Sequence, residues 1–341
     1  MIDAMMVVQA VLTKRAIAAG AAPILRRAVL VRHHMSHGSG GLDRVLAAAP
    51  VETGPRTSLR LGLDSARASQ NVLRLLESCS DGGADALSAA WHPTGLRWTL
   101  GEAGWKPSSF EEGMKARGNY ASAALRLEWL SFSDDRTALA KVRGVDGTWR
   151  YSSMLRLDPD SSRMRQQAMV HHANDGWCIV REVKDGSSGT EDRVSSSGSS
   201  MGSIVAALEE YLSIEHGGGS EDVAKARGLF AQGSALLSVG TAPLDEERTT
   251  WSSPAGTLLE VPLDTYLEGV ESQTAHSDQA GEHNAIVQLD VMPSGGAASA
   301  TVHVGNGART SLFVDHLLLG RRDDDRWQIL SKTFSPRPFP K

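Results

Sequence analysis

The chain has 341 residues, a mass of 36.4 kDa and 41% apolar residues, enough for two domains with cores of their own. A net charge of -5 argues against a dedicated nucleic-acid binder, which carries a basic excess or stripe. Two cysteines, Cys79 and Cys178, are too few for a disulfide scaffold, and no apolar run is long enough to cross a membrane as a helix.

Residues 1–64 read as a leader. In its first 50 residues Lys14, Arg15, Arg26, Arg27, Arg32 and Arg44 face only Asp3 and Asp43, with alanine and apolar residues interleaved. That is the composition of an organellar transit peptide and predicts a mitochondrial location, with plastid or cytoplasmic alternatives. A plain N-terminal extension accounts for the same composition, and His33, His34 and His37 read as part of it rather than as a metal site.

The first domain is expected over 65–184. A short amphipathic helix carries Val72, Leu73, Leu75 and Leu76 at helical spacing, and the glycine turn DGGAD follows at 81–85. A second helix runs to Trp91, and a third is predicted at SSFEEGMK, 108–115. LRLEWLSF, TALAKVRGV, WRYSSMLRL and DGWCIVREV then alternate as strands, with an extra strand or longer hairpin expected near 158–172. Residues 185–200, DGSSGTEDRVSSSGSS, are a serine- and glycine-rich linker with one apolar residue.

The second domain, 201–341, repeats this order. Ile204, Val205, Leu208, Tyr211 and Leu212 mark a helix, HGGGSED a turn, Phe230 the aromatic after a second helix, and DTYLEGVE a third helix. AIVQLDVM, ASATVHVG, SLFVDHLLL and DRWQILSKTF follow as strands. Helices followed by a long antiparallel meander predict α+β architecture in two tandem copies, each a curved antiparallel sheet with about three helices.

The second half resembles the nuclear transport factor 2-like superfamily, and within it the SnoaL-like and lumazine-binding group. IVAALEEYLSIEHGGGSED, Phe230, DTYLEGV, SLFVDHLLL and RWQILSKTF carry the resemblance. The first half is similar at Trp91-His92-Pro93, SSFEEGMK and DGWCIVREV, and reads as a degenerate copy. The resemblance implies a cone lined with apolar side chains, a natural small-molecule pocket. It also implies that Tyr211, on the first helix, and Asp315, kept neutral by apolar surroundings, sit where the ketosteroid-isomerase branch places its oxyanion donors. That branch places its base on the strand after the second helix. Here this strand reads GSALLSVG, with Leu237 or Ser238 at the matching position and no acid.

The expected ligand-binding set is therefore Tyr211 and Asp315, with walls from Phe230, Leu237, Tyr266, Val291, Phe313 and Trp327. Catalytic candidates are Tyr211, Asp315 and His303, the last because Thr301, His303 and Gly305 share one face, read as the concave one. His316 alternates to the face opposite Asp315, at the surface or an interface. Tyr211 reads equally as a core residue with its hydroxyl at the rim, and Asp315 as structural. In the first domain Ser153, or Arg165 and Gln166, stand near the aspartate position. His171-His172 lacks further ligands at metal spacing, and HGGGS has no nucleophile elbow to serve.

Three functions remain open. The missing base favours a non-catalytic small-molecule-binding or protein-interaction module. A SnoaL-like isomerase, dehydratase or cyclase acting on a small hydrophobic ketone through Tyr211 and Asp315 is the second. An accessory subunit of an organellar assembly is the third. No cofactor or metal is called for. The partners expected are a small hydrophobic ligand, or a protein or second copy docked on the sheet faces, a need that a tandem chain can also meet internally; no nucleic acid and no membrane span are expected.

Overall fold

The computed structural model describes residues 30–31, 67–76, 90–101, 104–109, 111–112, 125–144, 147–158, 176–184, 197–214, 220–242, 251–272, 284–305 and 311–338. The leader apart from its residues 30–31, the DGGAD turn, half of SSFEEGMK, the extra hairpin near 158–172, His171-His172, Arg165, Gln166 and residues 185–196 lie outside the described residues; Ser108 and Ser109, expected to open a helix, end a strand instead.

The first half opens with helix α1 (67–76), which buries Ala68, Val72, Leu75 and Leu76. Six strands follow: β2 (Trp91–Gly101), β3 (Gly104–Ser109), β4 (Leu125–Phe132), β5 (Thr137–Gly144), β6 (Trp149–Arg156) and β7 (Trp177–Lys184). The second half holds α2 (Ser197–Ile214), α3 (Ser220–Leu229), β8 (Ala235–Val239), β9 (Leu258–Pro262), α4 (Leu263–Ser272), β10 (Ala285–Val291), β11 (Ala297–Gly305), β12 (Ser311–Arg321) and β13 (Trp327–Pro338). A two-residue strand, β1 (Leu30–Val31), pairs parallel with β10. Helix α2 starts at Ser197, so the last four residues of the expected linker are its first turn. Its Ile204, Ala207, Leu208, Tyr211 and Ile214 face inward at helical spacing.

The sheets have one topology. The first runs β3-β2-β7-β6-β5-β4, and the second, without β1, runs β9-β8-β13-β12-β11-β10. Each has one parallel pair in the same place, β2 with β7 and β8 with β13. Even the register shifts coincide. Leu127/Trp129 matches Ile286/Gln288 and Ser153/Met154 matches Leu318/Leu319. This register aligns the halves residue by residue. Trp91 and Phe230 both bridge in parallel to an isoleucine of the last strand, Ile179 or Ile329. Ala138, Ala140 and Val142 match Ala298, Ala300 and Val302 on the concave face.

The outer sheet faces pack on each other. One apolar cluster joins Trp98, Trp105, Leu139, Tyr151 and Val183 to Met292, Ala297, Leu318 and Leu330. A second joins Leu155, Leu157, Cys178 and Val180 to Ala235, Leu237 and Val239. Lys141 Nζ reaches Asp290 Oδ2 at 2.7 Å, Arg181 reaches Glu260 at 2.6 Å, and Trp105 Nε1 donates to Arg321 O at 3.0 Å. Of the two expected uses of the sheet faces, an external partner or pairing within the tandem chain, the second is seen, because large apolar side chains of both sheets meet there.

Candidate functional site

Within the second cone β12 brings Asp315 and β13 brings Lys332 to the concave side, beneath Tyr211 of α2. Tyr211 donates its hydroxyl hydrogen to Asp315 Oδ2 at 2.6 Å, and Lys332 Nζ donates to the Tyr211 oxygen at 2.5 Å. Lys332 Nζ also stands 3.1 Å from Asp315 Oδ2, with all three side chains buried. Rings enclose the group. Phe230 lies 6.2 Å from Tyr211 and 5.5 Å from Tyr266, and the ammonium lies over Tyr211, Tyr266 and Phe334 at 5.1 to 5.8 Å. A cation among ring faces is attracted by their quadrupoles, most strongly where water is excluded.

Phe230, Tyr266 and Trp327 belong to this core, and Val291 and Phe313 pack half-buried at its edge. Leu237 does not. Leu236 faces the cone, so its neighbour turns outward to Leu155 and Cys178. His303 is also outside, because Ala298, Ala300, Val302 and Val304 take the concave positions of β11 and leave Thr301 and His303 on the other face. The shared face of Thr301 and His303 is real; it is the outer one.

His316 follows the alternation into the seam between the sheets. It is fully buried, and neither ring nitrogen has a hydrogen-bond partner among the described residues. Burial pushes its pKa down to about 3, with Arg337 and His303 adding repulsion.

Lys332 was not singled out from the sequence. Its signal was the one lysine of RWQILSKTF, in register with Leu317 on the inner face. It changes what Asp315 does. A carboxylate beside an ammonium accepts hydrogen bonds, whereas an oxyanion donor must keep its proton. The strand β8, ALLSV, brings no acid, and Ser238 Oγ donates to Phe334 O at 2.7 Å.

The first cone is charged rather than empty. The register puts Arg150, not Ser153, at the position of Asp315, and Glu182 at that of Lys332; Ser153 faces the seam with Leu139. Arg97 Nε donates to Glu182 Oε1 at 2.5 Å, and Ser152 Oγ lies 3.4 Å from Oε2. Burial alone would raise the Glu182 pKa, but the charges of Arg97 and Arg150, the Arg97 hydrogen bond and Lys184 together hold it below the usual range.

Elsewhere, a groove of about 360 Å³ lies at the edge of the seam, between Asp134–Thr137 and Ser238–Thr241. Among the described residues no three His, Cys, Asp or Glu side chains gather as a metal site, and no helix is long and apolar enough to cross a membrane.

Residues 200–335 match the family model described as "Putative lumazine-binding". A nuclear transport factor 2-like protein of unknown function from Silicibacter pomeroyi is 18% identical, covering 41% of this chain and 98% of its own, with a TM-score of 0.31. One from Shewanella baltica is 20% identical, covering 40% and 94%, also at 0.31. A cystatin-like fold protein from Burkholderia xenovorans is 13% identical, covering 44% and 95%, at 0.26. No curated protein matches the chain. The match to the lumazine-binding family model thus falls on the second domain of a chain built as two tandem α+β cones.

Proposed function

We propose that the second cone is a non-catalytic binding module for a small, planar heteroaromatic molecule with hydrogen-bonding edges, of which lumazine is the model compound. The observation that carries this reading is the Tyr211–Asp315–Lys332 network, buried among Phe230, Tyr266 and Phe334. Aromatic walls suit a flat ring, and an acceptor and a cation side by side suit imide and carbonyl edges. An isomerase using Tyr211 and Asp315 needs a base beside the substrate carbon and a protonated carboxyl. Strand β8 offers no base, and Asp315 is ion-paired.

Calorimetry and thermal shift on the full chain test the reading with lumazine, a flavin, a steroid enone and an aromatic polyketide. Lumazine or the flavin is expected to bind and raise the Tm. Tyr211→Phe and Lys332→Met are each expected to weaken it by about tenfold, the equivalent of 1.4 kcal/mol. Equal binding to both variants, or turnover of the enone, overturns the reading.

A further inference from the structure

The first cone holds a cluster that a worn-down copy of the second would not need. Arg97 on β2, Arg150 on β6 and Lys184 on β7 come together with Glu182 on one concave face, since Arg97 pairs with Glu182 and Arg150 with Lys184 across the sheet. Their exposures are 4%, 6%, 6% and 2%. All three cations act electrostatically on Glu182, so three positive groups converge on that carboxylate. That carboxylate is already engaged by Arg97 and Ser152. Arg150, beyond it, keeps its Nε buried with no hydrogen-bond partner among the described residues.

A guanidinium cannot shed its charge to suit its surroundings, and a buried charge is tolerated when an opposite charge meets it. The fork of an arginine fits a carboxylate or a phosphate, the two anions it can grip with two parallel bonds. Beside them the same face carries Trp91, Met154, Trp177 and Ile179, packed in one cluster with α1, and Arg97 lies 5.3 Å from the centre of the Trp91 ring. A ligand there meets cations at one end and rings at the other. We propose that the first cone is a second binding site, for a small organic anion bearing a carboxylate or phosphate on an apolar body, with Arg150 as its principal anchor. Glu182 holds Arg97 in place and is a positioning residue.

Benzoate, phenyl phosphate and inorganic phosphate, titrated into the full chain at constant ionic strength, test this by calorimetry and thermal shift. Benzoate or phenyl phosphate is expected to bind saturably and raise the Tm, and which of them binds more tightly identifies the head group. Arg150→Met should weaken that binding at least tenfold. Tyr211→Phe, in the other cone, should leave it unchanged, so this site and the lumazine site fail separately. The assignment is overturned if no probe binds with a Kd below about 10 mM, or if Arg150→Met binds as the wild type does. Should Arg150→Met not fold, Arg150→Lys decides, since it keeps the charge and loses the fork. An affinity within about twofold of wild type would then overturn the assignment, and a larger loss would support it.

Discussion

The two cones share a backbone and have opposite charges at the same two positions. Asp315 and Lys332 lie on β12 and β13 of the second; Arg150 and Glu182 lie at the matching places on β6 and β7 of the first. Around them the apolar residues barely change: Ala138 and Ala298, Ala140 and Ala300, Val142 and Val302, Trp91 and Phe230. The fold therefore depends on small residues at the centre of the sheet, which let it bend over its helices, and on one large ring at its end. What it asks of the polar pair is compensation, an acid facing a base, in either orientation. Among these concave positions the copies diverge at the polar pair.

The outer faces differ in a second way, and this difference is the easiest to break. Lys141 and Tyr151 of the first domain both hold Asp290 of the second. The matching residues on the other side of the seam are Thr301, His316 and Ser131, with no ion pair among them. Removing Asp290 strands a buried ammonium, whereas Ser131 has little to lose. Asp290→Ala should lower the stability of the full chain by about 3–5 kcal/mol, and Ser131→Ala should stay within about 0.5 kcal/mol. Urea unfolding measures both. Similar losses from the two variants would show that the seam is not held asymmetrically.

The second test uses the residue opposite Tyr151. His316 is held to a pKa of about 3 in the folded chain, against 6.5 in the unfolded one. Below pH 6.5 the unfolded chain binds a proton that the folded chain refuses, so stability falls as pH falls from there toward 3. At about 1.4 kcal/mol per pH unit, the loss at pH 4 is on the order of 3 kcal/mol. His316→Gln should flatten that part of the stability–pH curve. A variant with the wild-type acid slope would place the sensitivity elsewhere, with Glu182 the next group to examine.

Much of this was legible in the sequence because periodicity and order are local. Alternation in ASATVHVG and SLFVDHLLL marks strands whatever the tertiary setting, and it correctly sent Asp315 and His316 to opposite faces. Alternation does not say which face is concave, so Leu237 and His303 were assigned to the wrong side. Their direction follows from the packing of the two sheets, which only the whole chain fixes. Register was the other obstacle. A shift of three residues separates Ser153 from Arg150, and the bulges that set it leave no composition signal. Lys332 was hidden for a related reason: a buried lysine looks like a solvent-facing one until its carboxylate partner on the next strand is known.

The smallest expected effect probes how well the two sides of the seam interchange. Gly320, at the end of β12, lies against the Trp105 indole, whose Nε1 donates to Arg321 O. The matching residues on the other side are Leu155 and Leu258, which pack together in one apolar cluster. One side thus fills its space with a ring against a bare backbone, the other with two medium side chains. A β-carbon at position 320 would fall inside van der Waals contact with Trp105, which cannot retreat without losing its hydrogen bond. Gly320→Ala should therefore cost about 1–3 kcal/mol. Trp105→Leu imports the residue used on the other side, so the double variant should recover part of that loss. A double-mutant cycle reads the coupling, and values about 0.5 kcal/mol or more from additivity are expected. Strict additivity would mean that Gly320 is needed for its own backbone and that the two sides are not variants of one packing solution.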